Sequence, residues 1–171
     1  VDMIVDNIVF QNTIIAPPGV VGALFTNFGN LRLQFSNNEV NEFDSIGLLV
    51  QTGGVGRTLA NIYNNQVFSN GPLTDEDALP HEDGVRFLTV ANGVANIRFD
   101  DNVVTQNYQR GLRLVTEGNS EMNVLMNGNV VAFNDQGGPD DPPERFLFDM
   151  EANNGVNATM GVAMSTNVFL F

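Results

Sequence analysis

The chain has 171 residues and a formal net charge of −13. That is long enough for one domain with a real core, and the wrong sign for an electrostatic nucleic-acid binder or for a partner of anionic membrane surfaces. There is no Cys and all seven basic residues are Arg, which excludes disulfides, thiolate chemistry, lysine bases and lysine Schiff bases. No stretch approaches the roughly 18 apolar residues of a membrane-spanning helix.

The opening segment, VDMIVDNIVF (1–10), reads as strand and brings in the first Asn followed by apolar residues, Asn7. A second apolar strand, GVVGALF, follows a short insertion, TIIAPPG. A third, LRLQF (31–35), alternates apolar and polar residues with the period of a half-buried strand. The cycle then repeats. Asn38 opens NEVNEF, a strand begins at Leu48 and ANIY follows at 60–63; Asn65 opens NQVFSN, a strand begins at Val85 and NIRF follows at 96–99. Asn102 opens NVVTQN, a strand begins at Leu112 and NVLM follows at 123–126; Asn129 opens NVVAFN, FLFDM follows at 146–150 and GVAM at 161–164, and Asn167 opens the closing NVFLF. Glycine- and asparagine-rich turns join these segments, and no stretch has a helical period.

The spacing supports a true repeat. From the strands starting at 20, 48, 85, 112 and 146, the next recurring Asn lies 18, 17, 17, 17 and 21 residues on, so most of the length variation falls in one connection. The unit is about 27 residues, shorter than a β-propeller blade. Asparagine, at 24 of 171 residues, opposes long helices and favours turns and stacked amide ladders. Asn7, Asn38, Asn65, Asn102, Asn129 and Asn167 are therefore expected to form a structural ladder at a corner. Phe10, Phe35, Phe68, Phe87, Phe99, Phe133 and Phe148 are expected to stack in the core.

The pattern N-x-V-x-x-N, G-L-x-L-V, N-x-R-F-x-x-N resembles the right-handed parallel β-helix repeat of the pectate-lyase-like superfamily over nearly the whole chain. It implies an all-β fold, a single solenoid domain over 1–171 with about five to six coils. The resemblance also implies an extracellular or cell-surface setting and polysaccharide as a partner. Both ends are strand-like and lack a capping helix, the expectation for a segment of a longer chain or for a unit that assembles end to end with copies of itself.

Chemistry is expected at the variable corner. Two long acidic insertions, GPLTDEDALPHEDG (71–84) and DQGGPDDPPER (135–145), flank the short turn YQRG (108–111) and hold nine of the twenty acidic residues. Stacked in register, they would form ridges beside a floor carrying Tyr108 and Arg110. Asp75, Asp77, Asp83, Asp140 and Asp141 are candidate ligands for calcium, which favours clustered carboxylate oxygens, although no EF-hand or nonapeptide spacing is present. PHED (80–83) resembles the D-P-H-E stretch of alginate C5-epimerases. The leading Asp is missing, and so is the Lys those enzymes use. On that resemblance His81 would act as general base, with Tyr108 and Arg110 beside it and Arg110 neutralising a uronate. Three readings follow: a non-catalytic scaffold or carbohydrate-interaction module, a polysaccharide lyase or uronate epimerase, and a purely structural fibre, stalk or tailspike segment.

Overall fold

The computed structural model describes residues 1–11, 21–43, 45–71, 83–108, 110–134, 148–153 and 157–170. Every element among them is a strand, and the strands recur in threes. The first coil comprises β1 (Asp2–Asp6), β2 (Val9–Gln11) and β3 (Ala23–Asn27); the second, β4 (Asn30–Ser36), β5 (Glu39–Asn41) and β6 (Leu48–Thr52). The third holds β7 (Arg57–Tyr63), β8 (Gln66–Phe68) and β9 (Asp83–Thr89), and the fourth β10 (Val94–Asp100), β11 (Val103–Thr105) and β12 (Arg110–Glu117). The fifth holds β13 (Glu121–Asn127), β14 (Val130–Ala132) and β15 (Phe148–Asn153), and β16 (Thr159–Ser165) and β17 (Val168–Leu170) begin a sixth. Like strands pair with like. Sheet A runs β1-β4-β7-β10-β13-β16, sheet B β2-β5-β8-β11-β14-β17 and sheet C β3-β6-β9-β12-β15. Every pairing is parallel and in register. The chain is a parallel β-helix.

Alternation along each strand builds the core. In β7, RTLANIY, Thr58, Ala60 and Ile62 turn inward while Arg57, Leu59, Asn61 and Tyr63 face out. Register then converts single residues into columns such as Phe35, Ile62, Phe99 and Met126 in sheet A, and Val40, Val67, Val104 and Val131 in sheet B. Phenylalanines bridge the columns, with Phe25 edge-on to Phe35 at 5.6 Å and Phe87 edge-on to Phe99 at 5.5 Å. Phe10, Phe35, Phe87, Phe99 and Phe148 belong to this core or pack against it, as expected. Phe68 and Phe133 do not. Phe68 follows the inward Val67 and so points outward, half-buried, and Phe133 sits on a corner with 56 % of its surface exposed.

Two corners share one construction. Between sheets A and B a left-handed residue (Asn7, Asn37, Asn64, Asp101, Gly128 or Thr166) turns the chain. Gly128 fits that column because a side chain there would collide with Asp101 of the preceding coil. In the inner coils the residue after the turn is buried, and at Asn38, Asn65, Asn102 and Asn129 its amide joins neighbouring coils. Asn65 donates from its backbone N–H and Nδ2 to Asn102 Oδ1 at 3.0 and 2.9 Å, and Asn102 gives the same two bonds to Asn129 Oδ1 at 2.9 and 3.0 Å. Each Nδ2 also reaches a carbonyl of the coil below, as Asn102 Nδ2 does to Ile62 O at 3.0 Å. The ladder runs from Asn38 to Asn167, and its first position is Ile8, whose N–H donates to Asn38 Oδ1 at 2.9 Å. Asn7, expected as the first rung, instead occupies the exposed left-handed position one residue earlier.

The second corner, between sheets B and C, carries a ladder of its own. Glu42, Ser69, Gln106 and Phe133 take the left-handed conformation. The following residues then bond coil to coil: Phe43 N–H to Asn70 Oδ1 at 3.2 Å, Asn70 Nδ2 to Asn107 Oδ1 at 2.9 Å, and Asn107 Nδ2 to Asn134 Oδ1 at 2.8 Å.

Truncating a mid-ladder amide strands several buried polar groups at once, each worth roughly 1–3 kcal/mol. Asn102→Ala should therefore cost about 3 kcal/mol or more in chemical denaturation, whereas Asn123→Ala, at an exposed position of sheet A, should stay within about 0.5 kcal/mol. Equal costs would show that the ladder contributes nothing special.

Candidate functional site

The inner surface being spent on packing, chemistry is left to the outer faces of the sheets. On sheet C, β9 and β12 are buried on both faces. Charged residues gather there beside the apolar Leu88 and Val115. Arg110 pairs in register with Asp83, and Arg113 lies between Arg86 and Asp149. Arg86 Nε donates to Asp83 Oδ2 at 2.6 Å, and Arg110 Nη1 lies 3.6 Å from Asp83 Oδ1. Arg110 Nε and Arg113 Nε stand 3.3 and 3.4 Å from Asp149 Oδ2, and Arg113 Nη2 donates to Glu151 Oε1 at 2.6 Å. Three guanidinium groups thus interleave with three carboxylates.

Burial shapes the acidity of this cluster. It pushes the Arg86 guanidinium down, against the pull of Asp83, and the positive charges of Arg113 and Arg110 add to the fall. It pushes the Asp149 carboxyl up, helped by the hydrogen bond and negative charge of Glu151, against Arg110 and Arg113.

The expected floor of a corner cleft is therefore differently built. Tyr108 and Arg110 are 6 % and 5 % exposed, and Arg110 is engaged by Asp83 and Asp149 rather than presented to solvent. Tyr108 packs so closely on Gly71, which has a φ of 119°, that no side chain fits at that glycine. Asp83, expected among calcium ligands, is fully buried and commits its carboxylate to Arg86 and Arg110. His81, Asp75, Asp77, Asp140 and Asp141 lie outside the described residues. Among the described residues no three His, Cys, Asp or Glu side chains cluster so as to hold a metal ion.

The outer face of sheet A is open. A groove of about 340 Å³ is lined by Asn61, Ile62, Tyr63, Arg98, Asp100 and Asp101. Tyr63 is 37 % exposed, with its hydroxyl accepting from Gln34 Nε2 at 3.0 Å, and Arg98 is ion-paired with Asp100 two residues along β10. A second groove, about 410 Å³, lies on the same strands and includes Arg32, Arg57, Leu59 and Asn96. Arg32, Arg57 and Arg98, the described arginines that are exposed, all belong to this face. Alternation makes 57, 59, 61 and 63 one outward row, a signal present in the sequence, but nothing in the repeat marks this row off from the other outward positions.

No family model matches the chain, and neither a curated protein nor a solved structure matches it.

Asp149 should titrate above its ordinary value of 3.8, and Glu151→Gln should bring it down, both read by carbon-13 NMR of the carboxyl. A raised carboxyl contributes stability below its ordinary value and loses it as pH rises through the folded value. Stability should therefore fall over that window in the native protein and fall less in the Glu151→Gln variant. An Asp149 that titrates below 3.8 would show that the arginines outweigh burial.

Proposed function

We propose that the chain is a non-catalytic β-helix module, outside the cell or at its surface, that serves as a scaffold and engages saccharide through the outer face of sheet A. The observation that carries this reading is the 340 Å³ groove in which Tyr63, Asn61, Arg98 and Asp100 converge on a rigid sheet. A tyrosine ring offers an apolar face with a polar tip, and amide, guanidinium and carboxylate groups around it suit a ligand rich in hydroxyls. The superfamily resemblance supports polysaccharide as the partner class by analogy of fold.

The lyase or epimerase reading needs Arg110 to meet a uronate carboxylate. Arg110 already has Asp83 and Asp149 within salt-bridge distance, which favours a structural role for it. The spacer reading gains from the same fact, since it treats the corner as wall.

Nitrogen-15 spectra recorded across a panel of neutral and uronic oligosaccharides, with and without calcium, decide between them. A binding module should show saturable shifts at Asn61, Tyr63 and Arg98, and Tyr63→Ala should weaken binding roughly tenfold, the loss of about 1.4 kcal/mol. Shifts centred on Tyr108, or turnover of a glycan, would favour the enzyme. A silent panel would favour the spacer.

A further inference from the structure

Asparagine is a thermolabile residue, most of all before glycine, whose backbone nitrogen has no Cβ beside it to keep it from the asparagine side-chain carbonyl. The described residues hold three such pairs, Asn70–Gly71, Asn92–Gly93 and Asn127–Gly128; a fourth, Asn154–Gly155, lies outside them. The fold treats the three differently. Asn70 is a buried rung of the second ladder. Its Nδ2 donates to Asn107 Oδ1 at 2.9 Å and to Phe68 O at 3.1 Å, its Oδ1 accepts from Phe43 N–H at 3.2 Å, and Gly71 N–H is held by Phe43 O at 2.7 Å. Neither reacting group is free to turn toward the other. Asn127 is exposed, but its Oδ1 accepts from Thr166 Oγ1 at 2.7 Å, and Gly128 N–H donates to Ser165 O on the next coil at 3.2 Å. Asn92 stands at the corner of sheets C and A. Its side chain is exposed and makes no hydrogen bond among the described residues. Gly93 is buried, but its N–H bonds only within the turn, to Val90 O at 3.1 Å. That turn is strained. Ala91 takes a φ of 62°, the left-handed position that glycine fills on both neighbouring coils, at Gly54 and Gly118. Local opening of the turn relieves Ala91 and frees the Gly93 nitrogen in the same motion.

We infer that Asn92 is a self-modification site, where the chain deamidates without an enzyme, and that hydrogen bonding to neighbouring coils spares Asn70 and Asn127. When the turn opens, the Gly93 nitrogen comes within attacking distance of Asn92 Cγ. The nitrogen bonds to Cγ and gives its proton to water; the Cγ–Nδ2 bond breaks, ammonia leaves, and a five-membered succinimide closes. Water then adds to one of the two ring carbonyls. Addition at Cγ gives aspartate, and addition at the Asn92 backbone carbonyl gives isoaspartate, with the peptide link rerouted through Cγ. Either product places a new carboxylate on the corner of sheets C and A, and isoaspartate lengthens its turn by a methylene. Asn92 N–H donates to Gly54 O at 2.9 Å and Asn119 N–H to Ala91 O at 2.6 Å, so the altered turn touches the coils on both sides.

The test incubates the whole chain at mildly alkaline pH, folded in one arm and unfolded in guanidinium in the other. Each pair is followed by peptide mass mapping, which registers an amide turned into an acid. Unfolded, the three pairs present the same chemistry and should convert at similar rates. Folded, Asn92 should convert at least about tenfold faster than Asn70 and Asn127. Similar rates at all three in the folded protein, faster loss at Asn70 or Asn127, or an Asn92 that stays intact while the unfolded chain converts would each overturn the inference.

Discussion

The structure depends on a buried amide that is completed by another like it on the next coil. At the corner of sheets A and B the chain must leave one strand direction for the next within two residues, and the backbone there offers groups that neither sheet can pair. Ile62 O and Asp100 O both turn toward Asn102 Nδ2, while the Asn65 N–H needs an acceptor that Asn102 Oδ1 provides. An asparagine side chain supplies acceptor and donors on a short stem. Aspartate would offer only acceptors and would face carbonyl oxygens with like charge, and serine would offer a single proton. Because each amide completes its neighbour, the ladder fixes which coil lies over which and at what register. The hydrophobic columns follow from that register, since a one-residue slip would turn an inward row outward.

Two corners with ladders and three parallel sheets leave the outer faces with different fates. Sheet A keeps most of its outward side chains exposed across six strands, so its polar residues answer to solvent and to one another. Sheet C buries both faces along β9 and β12, and there polar residues must answer to one another. Removing three arginines and Asp83 from water is costly, and breaking one of their pairs leaves a buried charge alone. The cluster therefore ties β9, β12 and β15 to one another through charge.

Much of this was legible in the sequence, and the failures have physical causes. The motif N-x-V-x-x-N revealed the coil and its ladder at Asn38, Asn65, Asn102 and Asn129. At Asn7 the motif stands one residue out of register, because Asn7, Asn37 and Asn64 belong to the left-handed column that precedes the ladder, and in the first coil only that column has an asparagine. The second asparagine of the motif was in view at Asn70, Asn107 and Asn134. It builds the second ladder, a role hidden by its place at the mouth of insertions of variable length. Alternation from the inward Val67 turns Phe68 outward, whereas Phe133 shares the parity of Val131 and is exposed because it takes the left-handed corner position, which aromatic identity does not reveal. The arginine cluster could not be anticipated in the same way. The alternation in GLRLV turns Arg113 outward, but nothing local says that the outward side of sheet C is buried.

That difference bears on where function can change. A ladder residue touches the coils on both sides of it, so a substitution there is coupled to its neighbours and to the register of the whole stack. Outward residues of sheet A are neighbours across a parallel sheet, about 4.8 Å apart along the stack and about 6.6 Å apart for alternate positions along a strand, and most touch only each other. They can be exchanged nearly independently while the amides hold the backbone beneath them still. A rigid row of this kind loses little entropy when an extended ligand lies along it, because its groups are held before binding. The constraint that makes the interior monotonous is thus what leaves the exterior free to vary, at residues such as Tyr63 and Arg98 that the ladder never reads.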